Sequence, residues 1–291
     1  MKYGVLGQTG LKISRLILGG GHFGSVFKNI GRKEAFRLID FSLDQGVTFV
    51  DTSPIYGQGY SEEWLGESLR HHRNKVSIAT KVGYHLSSVA RWSRPLNACF
   101  RGALRSRAAR DFLRPFREGE LSRLKFSLEI EKSVNASLRR LRVDRIDLLH
   151  LHDPFPLDPF EAYFEVFERL QKQGKVGHLG LALSTPPSAI PPCSLERFDV
   201  IQIAPEALAT HSHESIHAFV HSGKGVLLRS AFDGGKAFAS ERKQVSDFEI
   251  ISSTFDKIFS GPRVDGVVVG PRNCPQLKSL VRYFSGNSSD L

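Results

Sequence analysis

The sequence predicts an α/β fold: a (β/α)8 TIM barrel with an N-terminal β-hairpin and a basic insertion after strand three. Three observations predict it. Short, β-rich apolar runs alternate with amphipathic runs of helical length. The strand-like runs number eight, and eight is the count that closes a parallel sheet covered by helices into a barrel. The length of 291 residues suits one such barrel, carried as a single domain over residues 1–291.

In chain order, Tyr3-Gly4-Val5-Leu6-Gly7 and Gly10-Leu11-Lys12-Ile13 read as a hairpin turning at Gly7-Gln8-Thr9-Gly10, placed to plug one end of the barrel. The strands follow at Leu16–Leu18, Val47–Val50, Val76–Ala79, Ile146–Leu151, His178–Leu183, Val200–Ile203, Val226–Leu228 and Gly266–Val269. Between them, apolar periodicity predicts helices near Lys33–Leu43, Ser61–Arg70, Leu128–Leu141, Phe160–Gln173, His213–His221, Phe248–Phe259 and Pro275–Val281. The stretch Pro186 to Arg197 holds four prolines and reads as a turn or a very short helix. The insertion, about 84–125, carries many arginines with Pro95 and Pro115. It leaves strand three on the face of a barrel that holds active sites, which suits a lid or one wall of a pocket, and equally a mobile, solvated basic loop.

Composition narrows the function. The formal charge is +10, yet no zinc-finger, RRM or helix-turn-helix pattern accompanies it, and much of the excess sits between Arg91 and Lys125. Nucleic acid is therefore an unlikely partner, and an anionic small molecule is the simpler use of the charge. Cys99, Cys193 and Cys274 are scattered without CxxC spacing, as expected of free thiols in a reducing compartment. No run reaches the ~18 apolar residues of a membrane span, and the N-terminus lacks a signal core, so the cytoplasm is the expected location. His213, His217 and His221 recur at i, i+4 and i+8, but on a helix outside the barrel and without a third strong ligand. No metal is expected.

The chemistry gathers at strand ends. Strand two runs into Asp51, with Tyr56 just beyond; strand three runs into Lys81; strand four runs into His152. In a barrel these ends meet at one mouth. A tyrosine of ordinary pKa is a poor acid at neutral pH. A neighbouring lysine ammonium is expected to lower that pKa, while Asp51 keeps the buried lysine charged. A histidine nearby can orient the reacting oxygen. The set has no evident nucleophile unless Lys81 forms a Schiff base. After strand eight, Val269 to Leu277 places Pro275 in the first turn of a helix capped by Asn273 or Cys274. Such an N-terminus attracts phosphate, and an adjacent arginine favours an adenosine 2′-phosphate. No GxGxxG opens a helix; Gly19-Gly20-Gly21 reads as close packing at the mouth.

Phe49-Val50-Asp51-Thr52-Ser53-Pro54-Ile55-Tyr56-Gly57, Ala79-Thr80-Lys81 and Asp147-Leu148-Leu149-His150-Leu151-His152 together resemble the signature segments of the aldo-keto reductase superfamily, and the resemblance covers nearly the whole chain. It implies a tetrad of Asp51, Tyr56, Lys81 and His152 (His152, not His150, holds the family's position). It also implies hydride transfer between a nicotinamide cofactor, NADP with NAD as the alternative, and an aldehyde or ketone or its alcohol. The cofactor residues it implies are Gln202, Arg229, Ser230, Gly270, Arg272 and Gln276. His22, Phe23, Trp92 and Phe155 are the expected substrate pocket, with the insertion as a further wall because little chain follows helix eight. His152-Asp153-Pro154 resembles the sugar-dehydrogenase-like branch, which points to a sugar or an anionic polyol. One stretch departs from the pattern: Gly180-Leu181-Ala182-Leu183-Ser184 stands where many members have Gly-Val-Ser-Asn, whose side chains hold the nicotinamide amide. Ser184 replaces them only if the register shifts. The departure motivates an alternative, a non-catalytic scaffold or regulatory subunit with weakened cofactor binding.

Overall fold

The computed structural model describes residues 1–25, 30–86, 121–123, 127–155, 158–184, 192–209, 214–235, 237–238 and 245–285. Its first element is the expected hairpin. Strands β1 (Tyr3–Val5) and β2 (Lys12–Ser14) pair antiparallel, with Tyr3 opposite Ser14 and Val5 opposite Lys12. Gly7 turns in the left-handed region (φ +51°), and a Cβ there would lie 2.2 Å from the Gly225 nitrogen, so the turn must be glycine to lie against the barrel.

Eight parallel strands then close on themselves: β3 (Leu16–Gly19), β4 (Phe49–Asp51), β5 (Ser77–Val82), β8 (Ile146–His152), β9 (Val176–Ala182), β10 (Val200–Ile203), β11 (Gly225–Leu228) and β12 (Gly266–Val269), with β12 pairing back onto β3. The helices α1 (Arg32–Asp44), α2 (Tyr60–Ser68), α3 (Ser127–Leu141), α4 (Phe160–Lys172), α5 (Pro192–Leu195), α6 (Pro205–Ala209), α7 (Glu214–His221), α8 (Asp247–Ser260) and α9 (Cys274–Ser285) follow the chain order. Each long helix buries one stripe; α4, for instance, turns Phe160, Phe164, Phe167 and Leu170 inward. Ser246 and Glu249 close a reciprocal capping box at the start of α8.

The expected alternation of strands and helices is present, with the short α5 inside the proline-rich stretch. Three strands continue past the end of their apolar run into an ionisable residue. β4 takes in Asp51, β5 takes in Lys81 and β8 takes in His152.

The ends of the barrel differ. At the end where the strands begin, Leu6 and Ile13 of the hairpin pack with Ile17, Phe49, Leu148, Val200 and Leu227 in an apolar plug. Asp265 fastens the hairpin there, its Oδ2 accepting from the backbone N–H of Gly7 (3.2 Å) and of Val226 (2.9 Å). At the opposite end β6 (Tyr84–Leu86) and β7 (Leu121–Arg123) form a separate antiparallel pair, the stem of the insertion. Residues 87–120 of the insertion, Trp92 among them, lie outside the described residues, as does His213. Among the described residues, no helix is long and apolar enough to cross a membrane, and no cluster of His, Cys, Asp and Glu suits a metal ion.

Candidate active site

Asp51 and Lys81 sit on adjacent strands, β4 and β5, and both side chains are almost fully buried. The ammonium has three protons and meets three acceptors: Asp51 Oδ1 at 2.6 Å, Asp51 Oδ2 at 2.7 Å and the Thr52 carbonyl at 3.0 Å. Complete hydrogen bonding is what makes such a buried pair tolerable. Burial is the largest influence and alone would drive the Lys81 proton off, but Asp51 and Tyr56 together outweigh it and hold the pKa above that of an ordinary lysine. Lys81 is therefore a locked cation, which a Schiff-base nucleophile cannot be. Gln202, from β10, donates to Asp51 Oδ1 at 3.1 Å and braces the pair from across the barrel.

Tyr56 lies beyond β4, and Lys81 Nζ stands 5.3 Å from the centroid of its ring. The next residue, Gly57, adopts φ +54°, and a Cβ there would come within 2.2 Å of the Phe23 carbonyl oxygen, so glycine is required for the chain to turn here. The expected lowering of the Tyr56 pKa is not what the structure shows. Lys81 and Arg229 do pull it down, but burial is the largest influence, Asp51 and Asp153 act with it, and the pKa is raised above 10.0. The physical reason is burial, which disfavours the charged phenolate by more than the Lys81 ammonium favours it, with Asp51 offsetting part of the Lys81 effect. Tyr56 is a neutral phenol, a proton donor.

His150 and His152 separate as the sequence register requires. His150 faces the interior, wholly buried against Gly180, where a Cβ would come within 2.3 Å of its Nδ1. Neither ring nitrogen has a hydrogen-bond partner among the described residues, and burial, then Lys81 and His152, hold its pKa well below 6.5. His152 reaches the mouth, where Tyr84 from the insertion stem packs edge-on at 5.6 Å. The following residue, Asp153, takes the left-handed conformation (φ 44°), the kind of strained geometry that concentrates at functional sites. Its carboxylate lies 3.8 Å from His152 Nε2 and accepts from both the backbone N–H and the hydroxyl of Ser184, the latter at 2.7 Å. Ser184 is thereby committed to Asp153. Ala182 and Leu183 are buried, so the end of β9 offers no side chain of the Ser-Asn kind.

A cavity of about 510 Å³ opens at this end, walled by Tyr56, Asp51 and Gln202 on one side and by Gly270, Arg272 and Gln276 on the other, with Phe232, Phe238 and Ile251 supplying apolar surface. Its size and mixed lining suit a small-molecule site. His22, Arg229 and Ser230 also line it. Arg229 donates from Nε (3.2 Å) and Nη2 (2.7 Å) to the Leu183 carbonyl. At the far side Asn273 Oδ1 accepts from the Gln276 N–H (2.9 Å) and Gln276 Oε1 from the Arg272 N–H (2.8 Å), so Asn273 caps α9. The Arg272 side chain is exposed and faces no carboxylate among the described residues. A free guanidinium beside the N-terminus of a helix on a cavity wall is the donor set a phosphate group requires. The residues present therefore fit a phosphorylated dinucleotide.

Neither Lys81 nor His152 lines the cavity; Lys81 is buried behind Tyr56, 5.3 Å from its ring centroid. Two expected pocket aromatics need correction. Phe23 is 0% exposed, because the turn closed by its N–H to the Gly20 carbonyl (3.0 Å) folds the ring back into the core. Phe155 is 57% exposed and stands outside the cavity. The sequence reading missed Glu62, also fully buried, which accepts from Thr80 Oγ1 (2.6 Å) and Arg140 Nε (2.6 Å) and ties α2 and α3 to β5 one residue from Lys81. No local pattern could reveal it, since its partners lie 18 and 78 residues away.

Comparison with known proteins gives a consistent result. The sequence model of the Aldo/keto reductase family matches residues 15–249. Aldo-keto reductase YhdN of Bacillus subtilis (strain 168) is 32% identical over 185 residues, 62% of this chain, and the match spans 47% of that protein, about half its length. D-threo-aldose 1-dehydrogenase of a Pseudomonas species is 27% identical over 251 residues, 83% of this chain and 72% of that protein. The holo form of an aldo-keto reductase from Bacillus halodurans superposes with a TM-score of 0.73 over 100% of this chain and 93% of that one, at 20% identity, a likeness of fold.

Proposed function

The chain belongs to the aldo/keto reductase family, and on that premise we propose that it is a cytoplasmic oxidoreductase that interconverts an aldehyde or ketone and its alcohol with NADP(H). The bound nicotinamide supplies or accepts hydride. Tyr56 donates a proton to the carbonyl oxygen in reduction and recovers it in oxidation. Lys81, fixed by Asp51, Thr52 and Gln202, keeps a positive charge beside the phenol as negative charge develops there. His152, with Asp153 at its Nε2, orients the substrate oxygen. Arg272 and the start of α9 hold the adenosine 2′-phosphate, while Arg229, Ser230, Gly270 and Gln276 complete the cofactor wall. His22 belongs to the substrate side. The likeness to D-threo-aldose 1-dehydrogenase supports a sugar or related polyol as the substrate class.

The observation that carries the proposal is the saturated Lys81 ammonium 5.3 Å from the ring of Tyr56, which lines a cavity that also presents Arg272 at a helix N-terminus. A non-catalytic barrel is the second reading, and the side chains missing at Ala182 and Leu183 favour it. Titration of the protein with NADPH and NADH, followed by quenching of intrinsic fluorescence, separates the two. NADPH should bind, and Arg272→Ala should weaken it about tenfold with little effect on NADH, as loss of one charge-assisted contact predicts. Failure of the folded protein to bind either cofactor would establish the non-catalytic reading.

A further inference from the structure

Two cations act on Tyr56, and they are not equivalent. Lys81 is matched by the Asp51 carboxylate, so the pair is close to neutral. Arg229 is held only by neutral groups: the Leu183 carbonyl takes two of its N–H donors, and Nη1 lies 3.4 Å from Ser230 Oγ. No carboxylate forms an ion pair with it among the described residues. The guanidinium lines the same cavity as Tyr56, and an arginine side chain is a cation throughout the range in which proteins fold. That charge is felt at the reacting groups, for Arg229 favours the Tyr56 phenolate and opposes the Lys81 ammonium. Asp153 acts on Tyr56 in the opposite sense, and more weakly than Arg229.

Carbonyl reduction fixes what else must lie in this field. The proton from Tyr56 goes to the carbonyl oxygen and the hydride to the carbonyl carbon, with reacting atoms about 3–3.5 Å apart. The ring that gives the hydride therefore stands within a few ångströms of the phenol. The reduced nicotinamide ring is neutral and the oxidised ring is a cation, while the phosphates are the same in both. A fixed, unneutralised cation at this point discriminates between the two redox forms of the cofactor through ring charge alone.

Building on the NADP(H) reading above, we propose that Arg229 is a specificity residue for cofactor redox state: its uncompensated charge favours NADPH over NADP⁺ and so primes the site for carbonyl reduction. The reaction balances as hydride to carbon and the Tyr56 proton to oxygen, giving alcohol, NADP⁺ and a Tyr56 phenolate that regains its proton from water. NADP⁺ then leaves a site that repels it.

Dissociation constants for NADPH and NADP⁺, measured by fluorescence on the wild type, Arg229→Gln and Arg229→Lys, test this. The wild type should bind NADPH about tenfold or more tighter than NADP⁺. Arg229→Gln should shrink that ratio severalfold, mainly by strengthening NADP⁺ binding. Arg229→Lys, which keeps the charge and loses the fork to Leu183, should retain most of it. An unchanged ratio in Arg229→Gln overturns the proposal, even if both forms weaken together, since equal weakening marks a pyrophosphate contact. Should the Gln variant not fold, equal wild-type affinities still overturn it. Absence of binding by both forms in the wild type is a separate outcome that removes the cofactor reading itself.

Discussion

The two ends of the barrel are built from the same eight strands and do opposite things. At the closed end Leu6 and Ile13 sit on Ile17, Phe49, Leu148 and Leu227, an apolar contact with the Asp265 carboxylate at its margin. Two residues beyond the plug positions Phe49, Ala79, Leu148 and Val200 the inward side chains become Asp51, Lys81, His150 and Gln202, all buried. The period of two that sends Phe49 and Leu148 into the plug also sends Asp51 and His150 into the buried layer beneath the mouth. The comparison teaches that the hairpin end carries stability and the mouth carries chemistry. The mouth also carries the electrostatic cost of its buried charges.

Substitutions can break or sharpen that division. Lys81→Met should have the largest effect, because it damages both properties. It removes the cation beside Tyr56 and strands Asp51 as a buried, unpaired charge, so turnover should collapse and stability should fall by about 3–5 kcal/mol in a denaturant titration. Adding Asp51→Asn should restore much of the stability and none of the activity, a non-additivity expected of groups in direct contact. Leu6→Ala should cost about 2–5 kcal/mol in the same titration while turnover per folded molecule stays at the wild-type value. A large loss of turnover in Leu6→Ala would erase the division.

The smallest effect belongs to His150. Its folded-state pKa lies well below the 6.5 of a free imidazole. Below pH 6.5 the unfolded chain therefore binds a proton that the folded chain refuses. Stability is complete above that pH and declines as pH falls, at a slope approaching about 1.4 kcal/mol per pH unit for this one group. Comparing the stability of His150→Leu and the wild type at pH 8 and pH 5.5 isolates it. The variant should gain on the wild type by about 1 kcal/mol between the two. Parallel pH dependence of both proteins would show that His150 is protonated in the fold.

Much of this was legible in the sequence, for a physical reason. Alternating apolar runs dictate the barrel, and the charged residues that interrupt them mark the mouth. The same interruptions hid the true strand ends: hydropathy stops at Val50, Ala79 and Leu151, whereas the backbone continues through Asp51, Lys81 and His152. A buried charge looks like a strand end until its partner is known. The sign of the Tyr56 shift was missed likewise, because a sequence shows Lys81 as a neighbour and does not show the burial that outweighs it. Phe23 and Phe155 were indistinguishable as aromatics beyond strand ends. A single turn at Gly20 puts one in the core, and the other is left in solvent. The bond from Gln202 to Asp51 spans the barrel, and the tie between Asp153 and Ser184 joins the ends of two paired strands, contacts that no local window contains.

The central claim is that Tyr56 gives the proton while the rest of the mouth holds it ready. The most direct test measures oxidation of NADPH by the wild type and by Tyr56→Phe across a panel of aldehydes and sugars, with NADPH affinity and thermal stability determined alongside. The account predicts turnover by the wild type, a loss of about 10²–10⁴-fold in Tyr56→Phe, and unchanged NADPH binding and folding in the variant. Turnover by Tyr56→Phe at the wild-type rate would contradict it, as would a wild type that binds NADPH and reduces none of the carbonyls offered.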